Sequence, residues 1–149
     1  MKKFFPLVLF AVLLSSCSMA FLKEEMQIND LIRYKEKIDH TDNPAEVYII
    51  KADLSSKVLS LNGLIVKDII ESTNVNYQFC VVSELQTEKG KIECYIFTKN
   101  IRRISYLEKG KTMIDVKGEF NRFFSTLDSY YSKVEIINSS ITIVSPESK

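Results

Sequence analysis

The chain of 149 residues carries 20 Lys and Arg against 19 Asp and Glu, which gives a formal net charge of +1 at pH 7. This length suits a single domain, and an apolar fraction of 46% excludes wholesale disorder. The near-neutral charge lacks the basic excess of a nucleic-acid-binding domain, so we expect nucleic acid to be an unlikely partner.

The first residues have the pattern of a secretory signal. Lys2 and Lys3 precede an apolar run over residues 4–14, and the small residues Ser15 and Ser16 follow it. A membrane-spanning helix needs about 20 apolar residues, whereas a run of this length is typical of the hydrophobic part of a signal peptide. The pattern therefore predicts export and removal of this segment.

The run Leu14-Ser15-Ser16-Cys17 resembles the bacterial lipoprotein signal. The resemblance implies that the Cys17 thiol receives a diacylglyceryl group, that a peptidase cuts before Cys17, and that the new amine is acylated. Two or three acyl chains anchor a protein stably. The expected location is the bacterial cell envelope, at the outer membrane or the periplasmic face of the inner membrane, with the membrane as a partner. The alternative is an ordinary signal peptide with a cysteine nearby.

Three segments follow from this pattern. They are a signal peptide at residues 1–16, a lipidated N-terminus and helical tether at residues 17–42, and a folded domain with a leading helix at residues 43–149. Within the tether, residues 23–39 are predicted to form a helix, because four isoleucines and leucines fall near one face. We expect this tether to hold the domain off the membrane.

A second short helix is predicted after the tether. Asn43 is suited to cap a helix, and Pro44 is suited to its first turn. Val47, Ile50 and Leu54 would be its buried side. The apolar run that contains Val47 and Ile50 also suits a strand, so both alternatives stay open for this segment.

From residue 57 onward the pattern predicts five strands. Their ranges are 57–71, 76–85, 91–98, 112–123 and 133–144, with a short helical crossing at 100–107. Gly63 and Gly118 fall inside strands, where glycine marks a bulge or a sharp bend. The last strand changes phase near Ile137, which predicts a bulge there.

Five strands, a long bent first strand and a helix between the third and fourth indicate a mainly β protein. We expect a five-stranded OB-fold Greek-key barrel, preceded by one or two N-terminal helices. The runs VLSLNGLIVKDI, KIECYIF, YLEKGKTMIDVKGEF and KVEIINSSITIV resemble strands of the bacterial OB-fold family called tRNA-anti-like. The resemblance covers residues 58–144 and implies the barrel shape without implying an activity.

The sequence contains no motif for a known catalytic chemistry. His40 is the only histidine, and there is no Walker loop, H-E-x-x-H, G-x-S-x-G or C-x-x-C motif. The Asp and Glu residues are spread evenly, as on a solvated surface. We therefore expect a protein that is not an enzyme and that uses no metal and no cofactor.

Two cysteines fall in the predicted second and third strands. A two-residue turn at Lys89-Gly90 places Cys80 and Cys94 on opposite faces of the hairpin. A three-residue turn places Cys80 opposite Thr98 instead. Neither register brings the two cysteines within the Cα distance of about 7 Å that a disulfide requires, so we expect both thiols to be free.

Exposed aromatic residues are the candidate ligand-binding groups. OB-folds bind ligands on the face of the second and third strands and on the flanking loops. Tyr95 and Phe97 are predicted to point outward from the third strand, and Tyr130 and Tyr131 lie in the loop before the last strand. The alternative is that an N-terminal helix covers these rings.

A basic cluster lies around the crossing between the third and fourth strands. Such a cluster is suited to anionic lipid headgroups, an acidic partner or a polysaccharide, and it also suits a solvated helix and turn. Its members are Lys99, Arg102, Arg103, Lys109 and Lys111.

Together these features predict a lipid-anchored, non-enzymatic OB-fold binding module of the bacterial envelope, with a peptide, glycan or protein ligand. The alternative is a structural or assembly subunit of an envelope protein complex. Single-stranded nucleic-acid binding is the third hypothesis, and the net charge disfavours it.

Overall fold

The structure is a computed structural model, and it describes residues 23–88, 90–125 and 132–144. Cys17, Tyr130 and Tyr131, three residues to which the sequence assigns a role, lie outside the described residues. The described elements are, in chain order, β1 (Glu25–Met26), α1 (Ile28–His40), α2 (Pro44–Ser55), β2 (Val58–Glu71), β3 (Phe79–Thr87), β4 (Gly90–Phe97), α3 (Ile101–Ile104), β5 (Met113–Ser125) and β6 (Ser132–Val144).

The predicted first helix starts later than expected, because a short strand precedes it. β1 pairs in parallel with the start of β2, with Glu25 opposite Val58. Met26 and Leu31 are fully buried in the main core, and Ile28, Ile32 and Ile38 pack against it. β1 and α1 are therefore part of the folded domain. This corrects the prediction of a separate tether up to residue 42, since the apolar face of α1 is covered by the barrel itself.

The segment from Pro44 to Ser55 is helical, which settles the choice between helix and strand. The Asn43 side chain accepts a hydrogen bond from the Ala45 N–H at 3.0 Å, and Pro44 occupies the first turn, as predicted. Leu54 is buried in the core, while Val47 and Ile50 are half-buried. The helix forms because its cap satisfies an otherwise unpaired N–H group and one side of it is covered.

The five long strands close into a barrel with OB-fold topology. β2 pairs with β3, β3 with β4, and β6 with β5, all antiparallel; β4 pairs with β6 in parallel, and β5 returns to β2. This order, with a helix between β4 and β5, is the five-stranded Greek-key barrel that the strand pattern predicts. The fold prediction is confirmed.

The interior is filled by residues at alternate positions on each strand. α1 closes the barrel near the β3–β4 turn, where it borders Thr87 and Gly90. α3 lies at the other end of β3, beside Phe79, and buries Ile104. The largest fully buried side chains are Met26, Leu31, Leu54, Leu59, Leu61, Leu64, Ile96, Ile114, Ile136, Val66, Val81 and Val134.

The β3–β4 hairpin places the two cysteines on opposite faces. The observed register pairs Thr87 with Gly90, and it has the parity of the predicted two-residue turn, not that of the three-residue turn. Cys94 points into the core, and Cys80 lies in a smaller cluster outside the barrel. Both thiols are free, and burial raises the pKa of each to about 12.

The β5–β6 pair contains the bulge that the phase change in the last strand predicts. Lys117 lies opposite Ser140 and Glu119 opposite Ile137, so Asn138 and Ser139 together face Gly118. Asn138 has a φ of 50°, a left-handed conformation that Asn tolerates better than most residues. A Cβ at Gly118 would lie 2.5 Å from Ser139 Oγ and 2.7 Å from Ile136 Cγ2, so the close approach of the strands requires glycine.

We predict that Gly118→Ala lowers the free energy of unfolding by about 1–3 kcal/mol, the usual range for overpacking. Urea unfolding of the Cys17→Ser protein measures this. Ser139→Ala removes one of the two side-chain clashes, so the double variant should be more stable than the sum of the single effects predicts. A loss below about 0.5 kcal/mol in Gly118→Ala would contradict the steric role of this glycine.

Candidate ligand-binding site

A cleft of about 400 Å³ opens on the outer face of the barrel, where the loop after β2 passes over β3, β4 and β6. This is the region of an OB-fold in which the second and third strands and the first loop meet. The residues that line the cleft are Ile70, Glu71, Ser72, Thr73, Asn74, Cys80, Tyr95, Phe97, Arg122 and Glu135.

Phe97 forms the floor of the cleft and does not present an exposed ring. It is only 6% exposed, and its ring lies 5.4 Å from that of Tyr77 at a tilt of 48°. Cys80 and Val82 complete this outer apolar cluster. Phe97 does point outward from the barrel, as predicted, but the expectation of exposure is wrong because Tyr77 from the preceding loop covers it. The N-terminal helices, which were the predicted cover, are not part of this cluster.

Tyr77 also connects the loop to the bulge in β6. Its hydroxyl donates to Asn138 Oδ1 at 2.8 Å and accepts from the Asn138 N–H at 3.0 Å. Asn138, the residue with the left-handed backbone, therefore has both its side-chain oxygen and its backbone N–H hydrogen-bonded to the Tyr77 hydroxyl. This contact holds the loop that forms one wall of the cleft.

A buried carboxylate lies at the back of the cleft. Glu135 is 3% exposed, and it accepts hydrogen bonds from Asn121 Nδ2 at 2.7 Å and from Arg122 Nε at 2.8 Å. Both donors reach it because β5 contains a bulge: Phe120 lies opposite Ile136 and Arg122 opposite Glu135, which leaves Asn121 as the extra residue. The Arg122 side chain remains 61% exposed at the rim.

Tyr95 lies beside this pair and is held by charged neighbours. Its hydroxyl donates to Glu93 Oε1 at 2.6 Å and accepts from Lys133 Nζ at 3.2 Å. The Lys133 ammonium also lies 5.4 Å from the centre of the Tyr95 ring. The ring is half-buried, so one aromatic surface with a fixed orientation borders the cleft.

Glu93 is the centre of an ion-pair network on this face. Lys67 Nζ lies 3.2 Å from Glu93 Oε2, and Lys133 Nζ lies 3.3 Å from Glu93 Oε1. Burial raises the pKa of Glu93, but hydrogen bonds from Tyr95, Lys67 and Lys133 outweigh burial and leave that pKa lowered. The carboxylate is therefore ionised at neutral pH and fixes the cations around Tyr95.

The predicted basic cluster divides into two groups. Lys109 forms an ion pair with Asp68, and Lys111 with Glu108 at 2.9 Å, so these two charges are compensated. Lys99, Arg102 and Arg103 are exposed on and just before α3. Lys99 follows Phe97 by two residues, so this second group begins near the end of the strand that forms the cleft floor.

The arrangement suits binding of a ligand that carries a flat ring. Tyr95 supplies an oriented ring surface, and Arg122, which Glu135 holds in place, supplies a cation at the rim. Among the described residues no group of three His, Cys, Asp or Glu side chains is placed to hold a metal ion. No helix among them has the length and apolarity that crossing a membrane requires.

Sequence reasoning found Tyr95 and Phe97 but missed Tyr77, Asn121, Arg122 and Glu135. The last three meet only because a one-residue bulge shifts the register of β5 against β6, and no glycine marks that position. Tyr77 falls within the predicted strand 76–85, whereas the observed strand begins at Phe79 and Tyr77 belongs to the loop before it.

No protein-family model matches the chain, and no curated protein sequence matches it. Similar solved structures include an asparaginyl-tRNA synthetase of Entamoeba histolytica in complex with asparaginyl-adenylate, at 15% identity and a TM-score of 0.37; the match covers 61% of this chain and 22% of the synthetase. DNA-binding domain A of Saccharomyces cerevisiae Replication Protein A is 13% identical, with a TM-score of 0.38 and coverage of 62% and 87%. The mitochondrial single-stranded DNA-binding protein Rim1 of the same yeast is 16% identical, with a TM-score of 0.37 and coverage of 62% and 97%.

Two of these three structures are described as DNA-binding proteins, which overturns the prediction that nucleic acid is an unlikely partner. That prediction rested on the net charge of the whole chain, and net charge does not set the charge of one face. Lys67, Lys133 and Arg122 on the cleft side are each paired with Glu93 or Glu135, whereas Lys99, Arg102 and Arg103 place exposed positive charge just beyond the end of β4. At TM-scores below 0.5 the matches do not assign a ligand to this chain.

We predict that the stabilising role of Glu93 disappears at low pH. Because its pKa in the folded protein is lowered from the ordinary 4.5, its ionised form stabilises the fold above about pH 4.5, and this contribution is lost as the pH falls through the folded-state pKa. Glu93→Gln should therefore be less stable than wild type at pH 7 and should approach it near pH 3, as measured by urea unfolding.

Glu108→Gln is the matched control for this prediction. The ion pair of Glu108 with Lys111 is largely exposed, and surface pairs contribute little to stability. A stability difference between Glu93→Gln and wild type that is the same at both pH values would contradict the assignment.

Proposed function

We propose that this chain is a lipid-anchored, non-enzymatic OB-fold module of the bacterial envelope that binds a short single strand of nucleic acid in the cleft beside Tyr95. The observation that carries the ligand assignment is the oriented Tyr95 ring, with Lys133 over it and Arg122 lining the same cleft, in the region where OB-folds bind oligonucleotides. The proposal has two parts, the anchor and the ligand, which are tested separately.

Support for the anchor comes from the first residues of the sequence. Lys2 and Lys3, the apolar run over residues 4–14 and the small residues before Cys17 all agree with a lipoprotein signal. The first described residue, Lys23, is six positions beyond Cys17, so a folded domain directly follows the proposed anchor.

Support for the ligand comes from the chemistry of the cleft. Proteins that bind single strands combine aromatic rings, on which bases stack, with cations that follow the phosphate backbone. Tyr95 offers the ring, and Arg122, which is 61% exposed, offers a cation in the same cleft. Lys99, Arg102 and Arg103 continue the exposed positive charge beyond the end of β4.

Non-enzymatic action is supported by how the polar side chains of the cleft are engaged. Glu135 is held by Asn121 and Arg122, and Glu93 by Tyr95 and two lysines. Each carboxylate acts as a fixed hydrogen-bond acceptor. Burial raises the pKa of the Cys80 thiol to about 12, which keeps it protonated and a poor nucleophile at neutral pH.

For the anchor, we predict that metabolic labelling with a radioactive fatty acid marks the wild-type protein and leaves Cys17→Ser unlabelled. The wild-type chain should also be recovered with membranes, because two or three acyl chains hold it there. Cys80→Ser is the matched control, since that thiol is buried in the domain and its replacement should leave labelling intact. Equal labelling of wild type and Cys17→Ser would contradict the anchor.

For the ligand, we predict that fluorescein-labelled dT15 binds the Cys17→Ser protein and that affinity falls between 50 and 200 mM salt, as phosphate contacts require. Tyr95→Ala should weaken binding by about tenfold or more, the range expected for one base–aromatic stack. Tyr95→Phe keeps the ring and should retain most of the affinity. Fluorescence anisotropy measures all three proteins.

Tyr106→Ala is the control variant for this experiment, because Tyr106 is an exposed tyrosine outside the cleft and its loss should leave binding unchanged. A neutral oligosaccharide of similar length tests the role of charge. Absence of dT15 binding, or equal binding of the neutral oligosaccharide, would overturn the ligand assignment and leave the anchor untouched.

A further inference from the structure

Helix α2 has apolar residues on two opposite sides. Val47, Ile50 and Leu54 face the domain, as described above. On the other side Tyr48 is 75% exposed and Ile49 is 67% exposed. These two, together with the exposed residues Ala45 and Ala52, form what we call the outer face of α2.

The four residues of the outer face follow the i, i+3, i+4, i+7 spacing of one helical stripe. Single exposed apolar residues are ordinary on protein surfaces, whereas a contiguous apolar stripe marks a surface that is covered in use. α2 packs against the domain through Val47, Ile50 and Leu54, so the residues of the outer face do not contribute to the core. An apolar stripe that the core does not use therefore calls for an occupant outside the domain.

The position of the outer face relative to Cys17 identifies that occupant. Six residue steps separate Cys17 from Lys23, and such a segment spans at most about 22 Å. Glu24 forms an ion pair with Lys57 at 2.5 Å, and Lys57 lies two residues beyond the end of α2. The chain therefore enters the domain beside the C-terminal end of α2, and this helix of 12 residues is about 18 Å long.

We infer that the outer face of α2 lies in the headgroup region of the membrane that holds Cys17. The inference rests on the proposed lipid anchor. Tyrosine is enriched at membrane–water interfaces, where its ring and hydroxyl meet the apolar and polar layers together. With α2 held at the bilayer, the domain has one orientation on the membrane.

The charges of α2 determine the kind of attraction. The helix carries Lys51 against Glu46 and Asp53, so it has no excess positive charge for anionic lipids. The contact is therefore apolar, and it needs the acyl anchor for lasting attachment. It should occur on zwitterionic phosphatidylcholine and should be insensitive to salt, unlike the proposed binding of single strands.

The test uses the lipidated full chain in phosphatidylcholine vesicles, with an NBD fluorophore on Ile49→Cys. Cys80 and Cys94 are buried and should remain unlabelled. We expect the emission to shift to the blue and to be quenched by a nitroxide attached to lipid headgroups. The matched control is Ile101→Cys on α3, at the other end of β3, where the emission should stay that of an aqueous probe.

Each outcome of this experiment bears on the inference. Vesicle flotation reports the anchor independently: protein that does not float overturns both the proposed anchor and this inference. Protein that floats with an aqueous probe at position 49 overturns the inference and leaves the anchor standing. A blue shift that the lipid nitroxide does not quench, and that grows with protein concentration, assigns the outer face to a second copy of the chain and overturns the membrane contact.

Discussion

Closure of the barrel depends on how β5 and β6 run together. β5 is hydrogen-bonded to β2 along its first half and to β6 along nearly its whole length. It must bend in order to pair with both strands. Two bulges supply the bend: Asn138 and Ser139 face Gly118, and Asn121 is the extra residue three positions further along β5. The first bulge requires a residue without a Cβ, and the second brings Asn121 and Arg122 to Glu135. The same irregularity that closes the barrel thus builds the back wall of the cleft.

A network of charged side chains covers part of the outer face of the barrel. Lys67, Lys91 and Lys133 alternate with Glu84 and Glu93 across four strands, and every one of these side chains has an ion-pair partner. The more exposed pairs at the edge of this network, such as Lys91 with Glu84, contribute little to stability, whereas the pairs of Glu93 are the more buried ones. Their effect is to hold the Tyr95 ring in one orientation without making this face strongly positive. The side chains at the cleft are therefore already oriented before a ligand binds. A ligand that pairs with one of these cations competes with the glutamate that the cation already contacts.

Much of the fold was predictable from the sequence, and the reasons are local. The five strands follow from alternation, the cap of α2 from Asn43 and Pro44, and two strand irregularities from Gly63 and Gly118. β1 was missed because two residues are too short to show a period, and the depth of α1 was missed because an apolar face does not reveal what covers it.

The site was less predictable than the fold, because its residues meet through register. Glu135 looks like an ordinary solvent-facing position between Val134 and Ile136, and only the bulge at Asn121 makes it a buried carboxylate with two donors. The predicted outward direction of Phe97 was right, but its predicted exposure was wrong. The ring is covered by Tyr77, a loop residue that the strand pattern does not place. Local periodicity therefore predicted the scaffold, while the cleft depended on pairings between distant segments.

The way the N-terminus joins the domain has a mechanical consequence. β1 is held at the edge of the sheet by one short parallel pairing with β2, and by ion pairs from Lys23 to Glu119 and from Glu25 to Lys117 on β5. A force applied to the chain before residue 23 acts on these contacts first, whereas the closed barrel bears it only after Met26 and Leu31 have left the core. We therefore expect the N-terminal edge to yield under tension before the strands that line the cleft.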